Sequence, residues 1–152
     1  MNRILRGAAA GAAGTTALNA VTYLDMALRG RPASDTPEQT VARIAEVIHV
    51  RIPGEGAKRS NRLSGWGALS GLAAGVAVGM AYGAWHSVVG RPGRVTGPML
   101  ATCGALVVGN GPMTALGLTD PRSWSLPDWL SDVVPHLAYG WVTATTYAAT
   151  GD

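Results

Sequence analysis

Asp132 and His136 are the two residues whose types and spacing could do chemistry. They are four residues apart, so on a helix they lie on one face and can pair. A carboxylate beside an imidazole stabilises the protonated ring, and an imidazole that changes charge near neutral pH can handle protons. Because the pair lies in an apolar segment, where polar groups cost free energy, it needs either a function or a hydrogen-bonding partner on another helix.

Other polar side chains are predicted at similar depths in the apolar part of the chain. Counted at 1.5 Å per residue from the face with the long loop, Asn19, Asn110 and His136 lie roughly 10–13 Å deep. By the same count, Asp25 and Asp132 lie roughly 5 Å deep. The predicted polar cluster is therefore Asp132, His136, Asn110, Asn19 and Asp25, together with Tyr23. This cluster either forms hydrogen bonds between helices, worth about 0.6–2 kcal/mol per pair, or provides a path for protons or ions.

Motifs of the common catalytic and binding classes are missing from the sequence. A metal site could draw on Asp132, His136 and Asp25, but no close-spaced motif such as H-E-x-x-H supports it. There is no G-x-S-x-G, no phosphate-binding loop and no dinucleotide fingerprint, so we expect no enzyme, no metal and no cofactor. The net charge is +3, but the arginines are scattered without a basic stripe, which argues against nucleic acid as a partner. Cys103 is the single cysteine, and its apolar neighbours predict a small buried side chain.

A segment rich in glycine, residues 66–89, is the element around which the rest is organised. It contains no Asp, Glu, Lys or Arg, and every fourth position is glycine: Gly67, Gly71, Gly75, Gly79 and Gly83. As a helix it would be about 36 Å long, enough to cross the hydrocarbon core of a bilayer. In water each interior glycine costs roughly 0.5–1 kcal/mol relative to alanine, whereas in lipid a glycine row lets a second helix approach closely. Gly7 and Gly11 form a shorter step of the same kind in the first apolar segment.

Polar turns that contain proline divide the chain into four apolar segments. The predicted membrane spans are residues 7–28, 66–89, 96–118 and 127–149. A signal peptide is the alternative for the first span, but no small-x-small cleavage site follows it. Pro112 should kink or break the third span, Pro135 should kink the fourth, and Ser125 with Asp128 could cap the fourth. Charged residues make up 14% of the chain, below the usual quarter for soluble proteins, which agrees with a bilayer environment.

Residues 36–50 predict an amphipathic helix in the long first loop. Thr36 and Gln39 fit a capping box, and Pro37 fits the first helical position. The segment is too charged to span a bilayer, so we expect this helix to lie on the bundle or in the headgroup layer. A docking helix for a partner is the alternative.

Aromatic residues bear on the arrangement of the spans, because alternating helices would sort them into belts at the two interfaces. One face would collect Tyr23, Trp66, Trp124 and Trp129, and the opposite face Tyr82, Trp85 and Tyr147. The count of arginine and lysine places the long loop in the cytoplasm, whereas Arg3 and Arg6 before the first span favour a cytoplasmic N-terminus. The orientation therefore stays open.

Short motifs in the third and fourth segments resemble those of a known family. They are Pro112-Met113, Leu116-Gly117-Leu118-Thr119 with Pro121, Leu126-Pro127 with Trp129, and the pair Asp132 and His136. On these residues the last 45 or so positions resemble the YagU family of small bacterial inner-membrane proteins, while the first half has no counterpart there. The resemblance implies a multispan inner-membrane protein without an established biochemical activity, and it singles out Asp132 and His136. The whole chain is also similar to uncharacterised small membrane proteins of high-GC bacteria.

The sequence predicts an all-α fold in a single domain, residues 1–152. Its four transmembrane helices would form a bundle, with one amphipathic helix in the long first loop, and the protein would be multi-pass in the bacterial inner membrane. Its partners would be the lipid bilayer and either a second copy or a partner membrane protein. Two functions are predicted: a non-enzymatic structural or accessory bundle packed by the glycine row, or a proton- or ion-linked transporter or channel that uses the polar cluster.

Overall fold

The computed structural model describes residues 2–90 and 92–151, which form five α-helices and no strand, so the all-α prediction is confirmed. The helices are α1 (Arg3–Arg29), α2 (Thr36–Val47), α3 (Gly56–Val88), α4 (Thr96–Ala115) and α5 (Leu126–Ala149). A short 3-10 helix, Pro121–Ser123, lies in the connection between α4 and α5.

The four long helices pack as an up-and-down bundle. Helix α1 packs against α3 and α5, while α4 packs against α5 and α3, so α3 and α5 lie on one diagonal. Successive long helices are antiparallel, since Gly7 lies opposite Gly79 and Thr15 opposite Gly75. The predicted loop helix is present as α2, and it lies along the first half of α3 and reaches α4.

Helix α3 begins ten residues before the predicted span, at Gly56. Three basic residues that precede the predicted span therefore lie within the first turns of the helix: Lys58, Arg59 and Arg62. Arg62 Nη1 donates to the carbonyl oxygen of Pro53 at 2.7 Å, which fastens this polar start of α3 to the preceding turn.

The two prolines inside helices do not end them. Helix α4 continues through Pro112 to Ala115, so the predicted break at this proline is absent, and α5 continues through Pro135. A proline already has a helical φ and removes only one backbone donor, and the rest of the helix retains its hydrogen bonds. Helix α4 ends at Ala115, and Gly117, two residues further on, has a left-handed φ of +69°. The amide of Leu118 then donates to the carbonyl of Met113 at 2.9 Å, as in a glycine C-cap.

One of the two predicted helix caps is present. The carboxylate of Asp128 accepts hydrogen bonds from the amide of Ser125 at 3.0 Å and from its hydroxyl at 2.5 Å, which confirms the cap of α5. The predicted capping box of α2 is wrong, because the helix begins one residue earlier than expected. Asp35 is the N-cap, and Thr36 is the first helical residue.

Small residues fill the interior of the bundle and large apolar residues cover its outside. The buried core consists of Ala10, Val78, Tyr82, Ala101, Ala105, Tyr139, Ala144 and Tyr147. The exposed large apolar side chains of the long helices include Leu5, Leu24, Leu28, Leu69, Leu72, Met80, Trp85, Leu100, Val107, Val108, Leu130, Val134 and Trp141. Proteins in water usually bury side chains of the second kind. By length and hydropathy one described helix, α3, is able to cross a membrane.

Cys103 is exposed, so the expectation that it is buried is wrong. The buried face of α4 contains Ala101, Thr102 and Ala105 and packs against the neighbouring helices. Cys103 lies on the opposite face. An apolar segment does not reveal which of its residues face inward when all faces are equally apolar.

Candidate functional site

The backbones of α1 and α3 touch where both helices carry glycine. A Cβ added to Gly79 would lie 2.5 Å from the Cα of Gly11, and one added to Gly11 would lie 2.6 Å from the carbonyl oxygen of Gly75. A Cβ at Gly83 would come closer than 3.0 Å to the carbonyl oxygen of Arg3. Because the atoms in the way belong to the main chain, no side-chain rearrangement could make room. We call this contact of Gly7, Gly11, Gly75, Gly79 and Gly83 the glycine seam.

The other two glycines of the row do not reach α1. A Cβ at Gly67 would lie 3.3 Å from the backbone of Pro37 and Glu38, so this glycine faces α2. No atom of the described residues lies within 4 Å of a Cβ built at Gly71. At 3.6 residues per turn, each four-residue step rotates the position by about 40° around the helix, so a row of five glycines faces successive neighbours.

Three threonines fill the spaces left by glycines at three different helix pairs, and the sequence analysis missed them. Thr15 of α1 lies against Gly75 of α3, Thr102 of α4 against Gly140 of α5, and Thr143 of α5 against Gly14 of α1. All three threonines are buried. Their signal in the sequence is threonine within apolar segments that also carry glycine, which is typical of closely packed helices.

Two tyrosines of α5 reach across the diagonal of the bundle to α3. Tyr139 Oη donates to the carbonyl oxygen of Gly75 at 2.6 Å, and Tyr147 Oη donates to that of Gly83 at 3.5 Å. The two tyrosines are eight residues apart, and so are the two glycines. Because glycine has no side chain to cover its carbonyl, the row on α3 offers acceptors as well as close packing.

Three members of the predicted polar cluster meet at the contact of α4 with α5. Asn110 Nδ2 donates to Asp132 Oδ2 at 2.8 Å. His136 Nδ1 donates to the main-chain carbonyl oxygen of Asp132 at 2.7 Å and lies 3.5 Å from its Oδ1. The side chains of Asp132 and His136 are 18% and 15% exposed, so each finds its main partners within the protein.

The other three members lie apart from this contact. Asp25 is bound by Arg31 Nε at 2.5 Å and by Arg29 Nη1 at 3.3 Å, and it accepts from Ser131 Oγ at 3.3 Å. These two arginines neutralise its charge. Asn19 makes no side-chain hydrogen bond to another residue of the described ranges, and Tyr23 is 62% exposed.

Two open cavities in the described part of the chain lie away from the contact of Asn110, Asp132 and His136. One open cavity, of about 350 Å³, lies at α2 and the following turn beside Ala45, Val50 and Arg59, and another, of about 310 Å³, lies between α3 and α4. Neither is lined by the polar cluster. Within residues 2–90 and 92–151, no three His, Cys, Asp or Glu side chains are grouped to hold a metal ion. The hydrogen bond between Asn110 and Asp132 joins α4 to α5.

A second group of ionisable side chains lies at the other end of the bundle, and the sequence analysis did not identify it. Arg6 Nη2 donates to the carbonyl oxygen of Tyr147 at 2.8 Å, and the Arg6 guanidinium lies 4.5 Å from the centre of the Tyr147 ring. The ring of His86 lies 4.5 Å from that of Tyr147 and 4.7 Å from that of Tyr82. Arg3 Nη1 donates to the carbonyl oxygen of His86 at 3.1 Å. The start of α1 is thus fastened to the ends of α3 and α5.

Comparisons with known proteins assign no family and no function to the chain. No family model, no curated protein and no solved structure matches the chain. The resemblance of the last 45 or so residues to the YagU family therefore stays a prediction.

Proposed function

We propose that the chain is an integral membrane protein with a structural or accessory role and no enzymatic activity. In this proposal α1, α3, α4 and α5 cross the bilayer and α2 lies at its surface. The observation that carries the proposal is the reversed distribution of side chains, with glycine, alanine and threonine inside and leucine, valine and tryptophan outside. Such a surface is costly in water and favourable against lipid chains.

The lengths of the four long helices support the proposal. They have 27, 33, 20 and 24 residues, and about 20 residues suffice to cross a hydrocarbon core of about 30 Å. By hydropathy α3 alone among the described helices reaches the level of a membrane span, and α1 and α5 carry charged residues such as Arg6, Asp25 and Asp132. Helices packed through small residues are typical of membrane bundles.

Tryptophans at both ends of the bundle agree with two interfaces. Trp124 and Trp129 pack at 5.0 Å between ring centres near the start of α5, and Trp124 Nε1 donates to Thr119 Oγ1 at 2.9 Å. Trp66 is exposed at the same end, and Trp85 is exposed at the opposite end. Tyr82 and Tyr147, predicted for the same belt as Trp85, are instead buried in the core. Indole rings prefer the boundary between lipid chains and water.

The polar contact of α4 and α5 favours a structural role over transport. Asp132 is already bound by Asn110 and His136, and hydrogen bonds of this kind join helices in lipid. A proton- or ion-linked transporter stays the alternative, because these three residues form a connected set across two helices. In that case Asp132→Asn should abolish proton flux into liposomes while the fold is kept, and Asp120→Asn, in the exposed connection before α5, should not. Flux that is unchanged in both variants excludes the alternative.

The lone cysteine provides a direct test of the membrane location. Cys103 is exposed on the structure, so in water a hydrophilic maleimide should label it quickly. In membranes opened by freezing and thawing, we expect Cys103 to be protected until the protein is denatured. The control is Ser60→Cys in a Cys103→Ser background, since Ser60 is exposed in the polar start of α3 and should label at once. Equal labelling rates at both positions would refute the proposal.

A further inference from the structure

An open apolar groove separates α3 from α4 on the outside of the bundle. Its volume is about 310 Å³, at the lower end of the 300–1,000 Å³ usual for small-molecule sites. Of its lining residues, Val78, Tyr82 and Ala101 are buried. Among its lining residues are Ala77, Ala81, Trp85, Leu100, Gly104 and Val108.

The groove exists because α3 and α4 touch at few places along their length. A Cβ at Gly104 would lie 3.3 Å from Val78 Cγ1, so valine against glycine sets the distance between the two helices. Near the start of α4, a Cβ at Gly97 would lie 2.6 Å from the hydroxyl of Tyr82, so the two helices meet again there. Between Ala81 and Leu100 the surface stays open and apolar.

The end of the bundle at which the groove lies nearest to the surface is basic. Arg3 and Arg6 at the start of α1 and Arg94 before α4 all belong to this end. The eight described acidic residues belong to the opposite end or to its loops: Asp25, Asp35, Glu38, Glu46, Glu55, Asp120, Asp128 and Asp132. A ligand of the groove therefore meets hydrocarbon along its length and positive charge at its end.

We propose that the groove holds an acyl chain of an anionic phospholipid, whose phosphate lies at the basic end near Arg94. The inference rests on the proposed membrane location. The apolar groove suits the acyl chain of such a lipid, and the basic end of the bundle suits its phosphate, because exposed cations near the membrane surface attract anionic headgroups. A zwitterionic lipid of the same chain length fits the groove equally but lacks the net charge.

Native mass spectrometry of the detergent-purified protein tests this pairing. With phosphatidylglycerol and phosphatidylcholine added at equal concentration, we expect one retained lipid per chain, with at least a fivefold preference for phosphatidylglycerol. Ala81→Phe, which fills the groove, should remove the retained lipid. Ala73→Phe is the matched control, because Ala73 is exposed on α3 one turn beyond the groove and should leave retention unchanged. Arg94→Gln should lower the preference for the anionic lipid and keep retention of the chain.

Other outcomes would overturn the inference. Retention that is equal in the Ala81→Phe and Ala73→Phe variants would place the lipid elsewhere, and a mass of two chains that only Ala81→Phe disrupts would assign the groove to a second copy. Equal retention of the two lipids would remove the headgroup part of the proposal. If Cys103 is protected in membranes while any of these results is found, the lipid inference fails and the membrane location stands. If Cys103 is labelled freely, the membrane location and the lipid inference both fail.

Discussion

The glycine seam makes a sharp prediction, because two glycines of one row have opposite surroundings. A methyl group at Gly79 would lie 2.5 Å from the Cα of Gly11 and closer than 3.0 Å to the carbonyl of Gly7. These atoms are main chain, so α1 and α3 must move apart. At Gly71 no described atom lies within 4 Å of the added carbon. The variants Gly79→Ala and Gly71→Ala therefore add the same methyl group to the same helix with different consequences.

The expected changes in the free energy of unfolding follow from typical values for overpacking and for helix propensity. Overpacking at Gly79→Ala should lower the free energy of unfolding by about 1–3 kcal/mol. Gly71→Ala should raise it by roughly 0.5–1 kcal/mol, because alanine is the better helix former. The two variants should therefore differ by about 1.5–4 kcal/mol, more than one decade in the unfolding equilibrium.

Unfolding in mixed micelles by increasing amounts of dodecyl sulfate, followed by far-ultraviolet circular dichroism, measures this difference. Adding Gly11→Ala to Gly79→Ala should cost less than the sum of the single changes, because the helices are already separated. Equal midpoints for Gly79→Ala and Gly71→Ala would refute the seam. A more stable Gly79→Ala variant would show that α1 and α3 do not touch there.

Three further predictions concern hydrogen bonds and one strained residue. Tyr139→Phe should lower stability by about 0.5–1.5 kcal/mol, because it removes a 2.6 Å hydrogen bond, and Tyr147→Phe should cost less, because its bond is 3.5 Å long; thermal melts of the two variants compare them. Asp132→Ala should cost about 1–3 kcal/mol by leaving the amide of Asn110 unpaired, whereas Asp132→Asn keeps an acceptor and should cost less in the same dodecyl sulfate titration. His49→Gly should stabilise the end of α2 by about 1–2 kcal/mol, since His49 has a φ of +56°, and slower amide exchange in α2 would show it.

The helices could be predicted from the sequence because each long helix is bounded by turn residues and carries few charges. The sequence does not, however, predict which helix each face packs against. The four-residue spacing of glycine indicates a packing face, but the rotation of about 40° per step turns Gly67 toward α2 and leaves Gly71 without a neighbour. Cys103 was placed in the interior for the same reason: the segment around it is apolar on every side.

The candidate polar site shows the same limit. The four-residue spacing of Asp132 and His136 predicts that they share one face of α5, and the depth count predicts Asn110 of α4 at the level of His136, whereas Asn110 donates its hydrogen bond to Asp132. Asn19 has the same predicted depth and does not join them. Depth along a helix follows from residue number, whereas the direction in which a side chain points depends on how the helices are rotated against one another.

The two tyrosines of α5 determine which movements the bundle can make. They donate to carbonyls eight residues apart on a parallel helix, so sliding α5 along α3 would detach both hydroxyls at once. The same sliding of α5 is opposed at its contacts with the other two helices, where Thr102 of α4 packs on Gly140 and Thr143 packs on Gly14 of α1. Sliding of α5 along its own axis would therefore break contacts with α1, α3 and α4 at the same time.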